Sequence, residues 1–416
     1  MALLRTRTRP DTDPPAGAPC IPQKRQRRAR RRAVLGTVAL LGTGAGVLST
    51  RALAQASPGG YLSQLQNVVV GASTVPANGD VNPYGVADVT QSTGTLVAGG
   101  VLVSNVNDEA NAQGTGTTIV EQLPDGTMTP FAQIVQASPT GPCPGCIGLT
   151  TALSVLPGGW VVVGSLPTTA GGPADEGTPA GIGAGCLIVL DSSGNLVETW
   201  AGGPINGPWD MTAVADGHHA ELFVSNVLNG TVAADAGVPA DQPGNVVDGG
   251  TVVRIGVALS AHHAPVLQSE TVVARGFAER TDPDALVVGP TGLAMGQHGA
   301  LYVADTVNSR IAVVPDALGR SDALGKPGGF TVSEASVLDA PLGMALTPDG
   351  DILTVNGGNG QIVETAPWGQ TVATATLDDS GPAPGGAGDL FGLAVAPGGR
   401  GIWFVDDGTN TLDLFF

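Results

Sequence analysis

Cys143-Pro144-Gly145-Cys146 has the spacing of a redox pair. It lies in a Gly/Pro-rich stretch rather than at the start of a helix after a strand, where a thiol pKa would be lowered, and Ile147 follows it where a c-type haem attachment site carries His. Structural stapling is the role this context implies. With Cys186 it leaves two pairings open, a local Cys143 to Cys146 bridge or a bond from Cys186 to one of the pair. His218-His219 and His298 belong to two tight turns and His262-His263 to a Gly/Ala/Ser-rich connection, so they are not expected to converge on one metal. Paired acids at Asp282/Asp284, Asp378/Asp379 and Asp406/Asp407 have the chemistry of weak surface Ca²⁺ sites or of solvated turns. Gly181-Ile182-Gly183-Ala184-Gly185 has the glycines of a dinucleotide loop without a strand-to-helix context, and there is no Gly-x-Ser-x-Gly elbow, His-Glu-x-x-His helix or Walker loop. The sequence therefore predicts no cofactor beyond weak Ca²⁺ and no catalytic constellation.

The elements that must position these residues begin after a leader. Arg27, Arg28, Arg30, Arg31 and Arg32 close a basic region, Ala33 to Leu48 is mildly apolar, and Ala54-Gln55-Ala56 offers a cleavage site, so residues 1–56 read as a signal peptide. The apolar run is shorter than the ~20 residues a membrane span needs. Arg31-Arg32-Ala33-Val34-Leu35 resembles a twin-arginine export signal; Val34 in place of Phe leaves general secretory export open. Either route implies a periplasmic or secreted protein with no membrane span after cleavage. The remaining 57–416 hold seven basic and 34 acidic residues, a formal charge of −27. That sign repels phosphate backbones and disfavours nucleic acid as a partner.

Glycine and proline number 63 and 32, beside 42% hydrophobic residues, which is the composition of many short strands and frequent turns. Gly289 to Val314 shows the unit most clearly: small-apolar Gly292 to Met295, a turn at Gly296 to Gly299, β-rich Leu301 to Ala304, a turn at Thr306 to Ser309, then Arg310 to Val314. Aligned on the small residue opening the first strand, the unit recurs at Gly85, Gly148, Asp210, Gly292, Gly343 and Gly392. Second strands confirm the register, among them Val101-Leu102-Val103-Ser104-Asn105 and Ile352-Leu353-Thr354-Val355-Asn356. The sixth copy lacks a fourth strand because the chain stops at Phe416, and Val-rich Leu65 to Val75 belongs to no copy.

This organisation resembles the NHL-repeat six-bladed β-propellers over about residues 60–416, most closely in Gly289 to Val314. The resemblance implies an all-β, six-bladed β-propeller of four-stranded antiparallel blades, with Leu65 to Val75 completing the last blade and closing the ring. The expected blades are 84–137, 147–203, 209–280, 291–337, 342–379, and 391–416 with 65–75. In such a ring the loops entering the first strand share a face with the loop between second and third strands. Long insertions fall there in copies one to three, at Asn107 to Gly116, Pro167 to Gly185 and Leu228 to Gly250. That face is expected to carry binding.

Architecturally related lactonases of the gluconolactonase class hold a divalent cation with Glu, Asn and Asp at the mouths of the inner strands. The corresponding residues here are Tyr84, Ile147, Trp209 with Asp210, Thr291, Leu342 and Phe391, among which Asp210 alone carries a carboxylate. The mouth thus reads as aromatic and aliphatic, suited to an apolar or flat ligand. The expected function is a binding or interaction module for a protein or an apolar small molecule. The alternative is a lactonase, hydrolase or lyase acting at the axial mouth.

Overall fold

The computed structural model describes residues 51–52, 59–134, 147–166 and 185–416, except residues 236, 240, 241, 261, 262, 284 and 335. Cys143, Cys146 and the Pro167 to Ala184 part of the second insertion lie outside the described residues, as do Asp284 and His262. Cys186 is disulfide-bonded.

Six antiparallel sheets stand around an axis, each with its first strand innermost; strand order follows the chain in five, and the sixth takes its outer edge from the N-terminal segment. The first strands are Val81–Asp88, Leu149–Leu156, Gly207–Ala215, Pro290–Met295, Pro341–Leu346 and Leu390–Val395. The second strands are Val101–Asn107, Trp160–Ser165, His219–Val227, Leu301–Asp305, Ile352–Asn356 and Ile402–Asp406. Turn chemistry sets the first hairpins: Gly217 and Gly350 have φ of 94° and 95°, a region that Cβ sterics close to most residues.

Each sheet buries both faces against its neighbours, so the second strands of blades one, four and five are buried at every position rather than alternating. The core is correspondingly divided among the seams. Leu102, Ile119, Leu153 and Ile188 join blades one and two, while Leu353, Ile362, Leu393 and Phe404 join blades five and six.

The ring closes as the sequence requires. Asn67–Val69 adds to the last blade, pairing Val68 with Phe415 and Val69 with Leu414. Just before it, the Glu364 carboxylate of blade five accepts the Tyr61 and Leu62 N–H groups at 2.8 Å each. The Tyr61 hydroxyl donates to Gly401 O at 3.0 Å, so the segment before the closing strand spans blades five and six.

Blade three departs from the plan. The expected span ends at residue 280; instead the fourth strand Val266–Asp282 runs for 17 residues and folds back through Leu286–Val288, which pairs Asp282 with Leu286 and Arg280 with Val288. Blade three is therefore five-stranded and extends beyond residue 280. The Leu228 to Gly250 insertion contains a single helical turn, Thr231–Ala234, before the third strand begins at Val247.

Candidate functional site

The innermost strands come so close around the axis that three blades require glycine at the same position. A Cβ on Gly292 would lie 2.2 Å from Leu342 O, one on Gly343 2.1 Å from Phe391 O, and one on Gly392 2.0 Å from Tyr84 O. No such atom fits there. In blade one the same relation links Gly85 to Thr151 O, 2.7 Å from the Cβ it would carry. Thr151, not Ile147, is therefore blade two's counterpart of Tyr84, Trp209, Thr291, Leu342 and Phe391.

Strand register agrees. Val86 pairs with Val103, Met211 with Val224 and Leu293 with Val303, and the equivalent pair in blade two is Leu153 with Val163. The expected alignment on Gly148 is four residues out of register, because the ladder of blade two shifts between Leu149 and Leu153. Ile147 is 1% exposed in the core shared by blades one and two. The signal that could have found Thr151 is Gly164: matching Val163 to Val103 sets Gly164 against Ser104 and requires Ala152 at the small position.

With that correction the small ring reads Gly85, Ala152, Asp210, Gly292, Gly343 and Gly392. Asp210 is its one side chain larger than a methyl. Its N–H donates to Ser225 Oγ at 3.0 Å, as Gly85 N–H donates to Ser104 Oγ at 3.0 Å, so the backbone plan holds although the side chain changes. Its Oδ1 accepts the Met211 N–H at 2.7 Å. Desolvation outweighs that bond and pushes the Asp210 carboxyl up to about 8.

Beyond the small ring, on the face of the long loops, lies a cavity of about 160 Å³ lined by Tyr84, Thr151, Trp209, Thr291, Leu342 and Phe391. Tyr84 stacks on Phe391 with centroids 3.8 Å apart and planes at 20°, and meets Trp209 edge-on at 6.5 Å and 83°. The hairpin at the end of blade three roofs this cavity with Ala285, Val287 and Val288, and Arg280 also lines it. Leu286 and Val287 are 5% and 1% exposed and pack into one cluster with Tyr84, Trp209 and Phe391. Sequence reasoning did not place Arg280 or this hairpin at the mouth. The turn-forming Thr281-Asp282-Pro283-Asp284 was the available signal.

A hard divalent cation needs several converging oxygens. The mouth offers one carboxylate, that of Asp210, beside the hydroxyls of Tyr84, Thr151, Thr291 and Thr306, and the last two are already bonded to each other at 2.8 Å. This donor set does not fit such an ion. Beside the mouth, two acid pairs that are distant in sequence meet through Asp389. Burial, then hydrogen bonding and repulsion from Asp378, push the Asp389 carboxyl up to about 6; burial with repulsion from Asp389 and Asp406 brings Asp407 to about 7. Among the described residues, no group of three or more His, Cys, Asp or Glu side chains is arranged to hold a metal ion. His219 stays on the first hairpin of blade three, 3.9 Å from Asp216, and His298 on that of blade four, both at the opposite end of the axis from the mouth.

In blade four, Asn308 donates to both Asp305 oxygens at 3.1 and 3.2 Å, and Arg310 reaches the same carboxylate at 2.6 Å with both side chains almost wholly buried. These residues lock the turn between the second and third strands, and residues 288–314 match the NHL repeat family. Blade four thus carries the match to the NHL repeat. No curated protein matches the chain. Among solved structures it is similar to a gluconolactonase from Xanthomonas campestris (14% identity, 84% of this chain and 89% of that one covered, TM-score 0.49). It is also similar to a catalytically inactive virginiamycin B lyase from Staphylococcus aureus with quinupristin (14%, 82% and 83%, 0.45). A third is the PQQ-bound aldose sugar dehydrogenase from Streptomyces coelicolor (15%, 88% and 99%, 0.48). The NHL blade contributes Thr291 to the mouth, and the other five blades contribute the rest.

Proposed function

We propose that this protein is an exported binding module that seats a small, flat, apolar ligand at the axial mouth, on the face carrying the long loops of blades one to three. The observation that supports this reading is the stacked Tyr84–Phe391 pair with Trp209 at its edge, lining a cavity of about 160 Å³ under an apolar hairpin. Apolar cavities of about 150 Å³ take up benzene, and aromatic walls favour a second ring over an aliphatic chain. Indole and benzene are suitable probes. Each is expected to bind saturably, to raise the melting temperature, and to lose most of its affinity in Trp209→Ala and Phe391→Ala. Absence of saturable binding of both probes to the unsubstituted protein would refute the reading.

A second reading, an enzyme of the lactonase, hydrolase or lyase type at the same mouth, draws on Asp210. A carboxyl pushed up to about 8 is protonated at neutral pH and can act as a general acid towards a bound ester or lactone oxygen. Hydrolysis of γ-butyrolactone, abolished in Asp210→Asn, is its test; the same slow rate in both proteins would rule it out for that substrate.

A further inference from the structure

On the other side of the small ring the axis widens into a channel of about 780 Å³ that runs towards the face of the first hairpins, where Val214 and Ala215 are exposed. Its geometry follows from the register. The ring next to Asp210 is made of larger apolar residues, among them Leu153, Met211, Met344 and Leu393. The ring after it is Ala87, Ser154, Thr212, Ala294, Ala345 and Ala394, all small, so the bore stays open. The third ring is apolar again except for Asp88.

Asp88 and Asp210 are the titratable side chains among the described lining residues, and both are acids. Asp88 Oδ1 is buried with no hydrogen-bond partner among the described residues. Burial pushes its carboxyl up to about 6, which records a charge without compensation. Gly85 occupies the Asp210 position in blade one, so Asp88 lies three residues farther along its strand. At about 3.3 Å per residue the two carboxyls are offset along the axis by about 10 Å. Between them the wall carries Ala87, Ala294, Ala345 and Ala394 together with the hydroxyls of Ser154 and Thr212.

We infer that this channel is a second binding site, on the other side of the small ring and sharing Asp210 with the aromatic mouth, for a linear aliphatic diammonium ion whose two charged ends meet Asp88 and Asp210 while its methylene chain lies along the alanine ring. The chemistry is complementary at each point. An ammonium carries three donors and no acceptor, which suits the unpartnered Asp88 oxygen. It also compensates the Asp88 carboxylate, which burial leaves without a partner, and draws the Asp210 carboxyl towards its ionised form. The methylene chain packs along the alanines of the bore, and the strongly acidic protein raises the local concentration of cations at the channel entrance.

The probe is 1,6-diaminohexane, whose extended chain matches the axial offset of the two acids, measured by calorimetry on the full mature protein at moderate salt. One saturable site is expected. Hexylamine, with one ammonium, should bind about tenfold more weakly, and Asp88→Asn should weaken the diamine by about tenfold or more. Ala394→Leu narrows the alanine ring without touching either acid and should also abolish binding, which keeps the test decisive if Asp88→Asn fails to fold. Trp209→Ala should leave diamine binding unchanged while removing indole binding, so failure at the mouth and failure in the channel are told apart. Equal diamine affinity in the unsubstituted protein, Asp88→Asn and Ala394→Leu, with loss of all binding in 0.5 M salt taken as roughly fully screened, would show adsorption to the acidic surface and overturn the proposal. So would an absence of saturable heat.

Discussion

Blades three and four share a seam and a strand plan, yet their residues serve opposite ends. Blade four has tight turns and a fully buried Asp305–Arg310 pair that locks its second turn. Blade three adds a helical turn, a 17-residue fourth strand and a fifth strand that roofs the axis, and it replaces the axial glycine with Asp210. The regular blade uses its polar residues to fix the backbone. The embellished one carries a polar side chain into the axis, where it is half-buried and desolvated, and it supplies the apolar cover of the mouth. Divergence from the repeat, rather than adherence to it, marks where the proposed ligand chemistry concentrates.

The largest expected effect tests the structural half of that contrast. Asp305→Ala leaves the Arg310 guanidinium buried without its partner and should cost about 3–5 kcal/mol in urea unfolding, with indole affinity preserved in the folded fraction. A loss of indole binding in folded protein would show that the NHL blade shapes the site directly.

Next comes Asp210. Its folded pKa is raised, so its contribution to stability is complete below the ordinary carboxylate value and is lost as pH rises through about 8. Asp88, Asp389 and Asp407 act in the same direction at about 6, 6 and 7. The unsubstituted protein should therefore unfold more easily at pH 9 than at pH 5. Asp210→Asn should flatten this dependence by a few kcal/mol, at about 1.4 kcal/mol per pKa unit. Equal slopes in the two proteins would mean that the carboxyl is well solvated.

Val287→Ala probes the roof. It removes two buried methyl groups and should cost about 1–2 kcal/mol. The enlarged cavity should then accept 3-methylindole better relative to indole than the parent does. The smallest effect belongs to Trp368→Ser, at a residue 76% exposed on a turn of regular blade five. That change should stay within about 0.5 kcal/mol and leave both probes unaffected; a larger loss would reveal a contact that the blade plan does not include.

Much of the fold was legible because it is periodic. Six copies of a strand–turn–strand pattern, the missing last strand and the spare Val-rich segment together define a closed ring, and the Val68–Phe415 pairing realises it. The mouth was legible in five of its six blades, since Tyr84, Trp209, Thr291, Leu342 and Phe391 precede the small residue by one position and line the cavity. Blade two misled the alignment because Gly148 resembles the repeat's glycine, while the extra residues of a shifted ladder are invisible without a partner strand. The roof was illegible for a related reason. Arg280 and Val287 are adjacent to the repeat in sequence, but only the fold-back of blade three turns them over the axis.

What the sequence determined by itself is local and repetitive: strand and turn chemistry, the number of blades, the closing segment, and a mouth with a single carboxylate. Tertiary structure decided what depends on distances across the ring. It placed Thr151 rather than Ile147 at the mouth, brought Asp389 between two acid pairs, and set Asp88 and Asp210 at different depths of one channel. The physical reason is that period and propensity are written along the chain, whereas desolvation and steric fit arise between strands far apart in it.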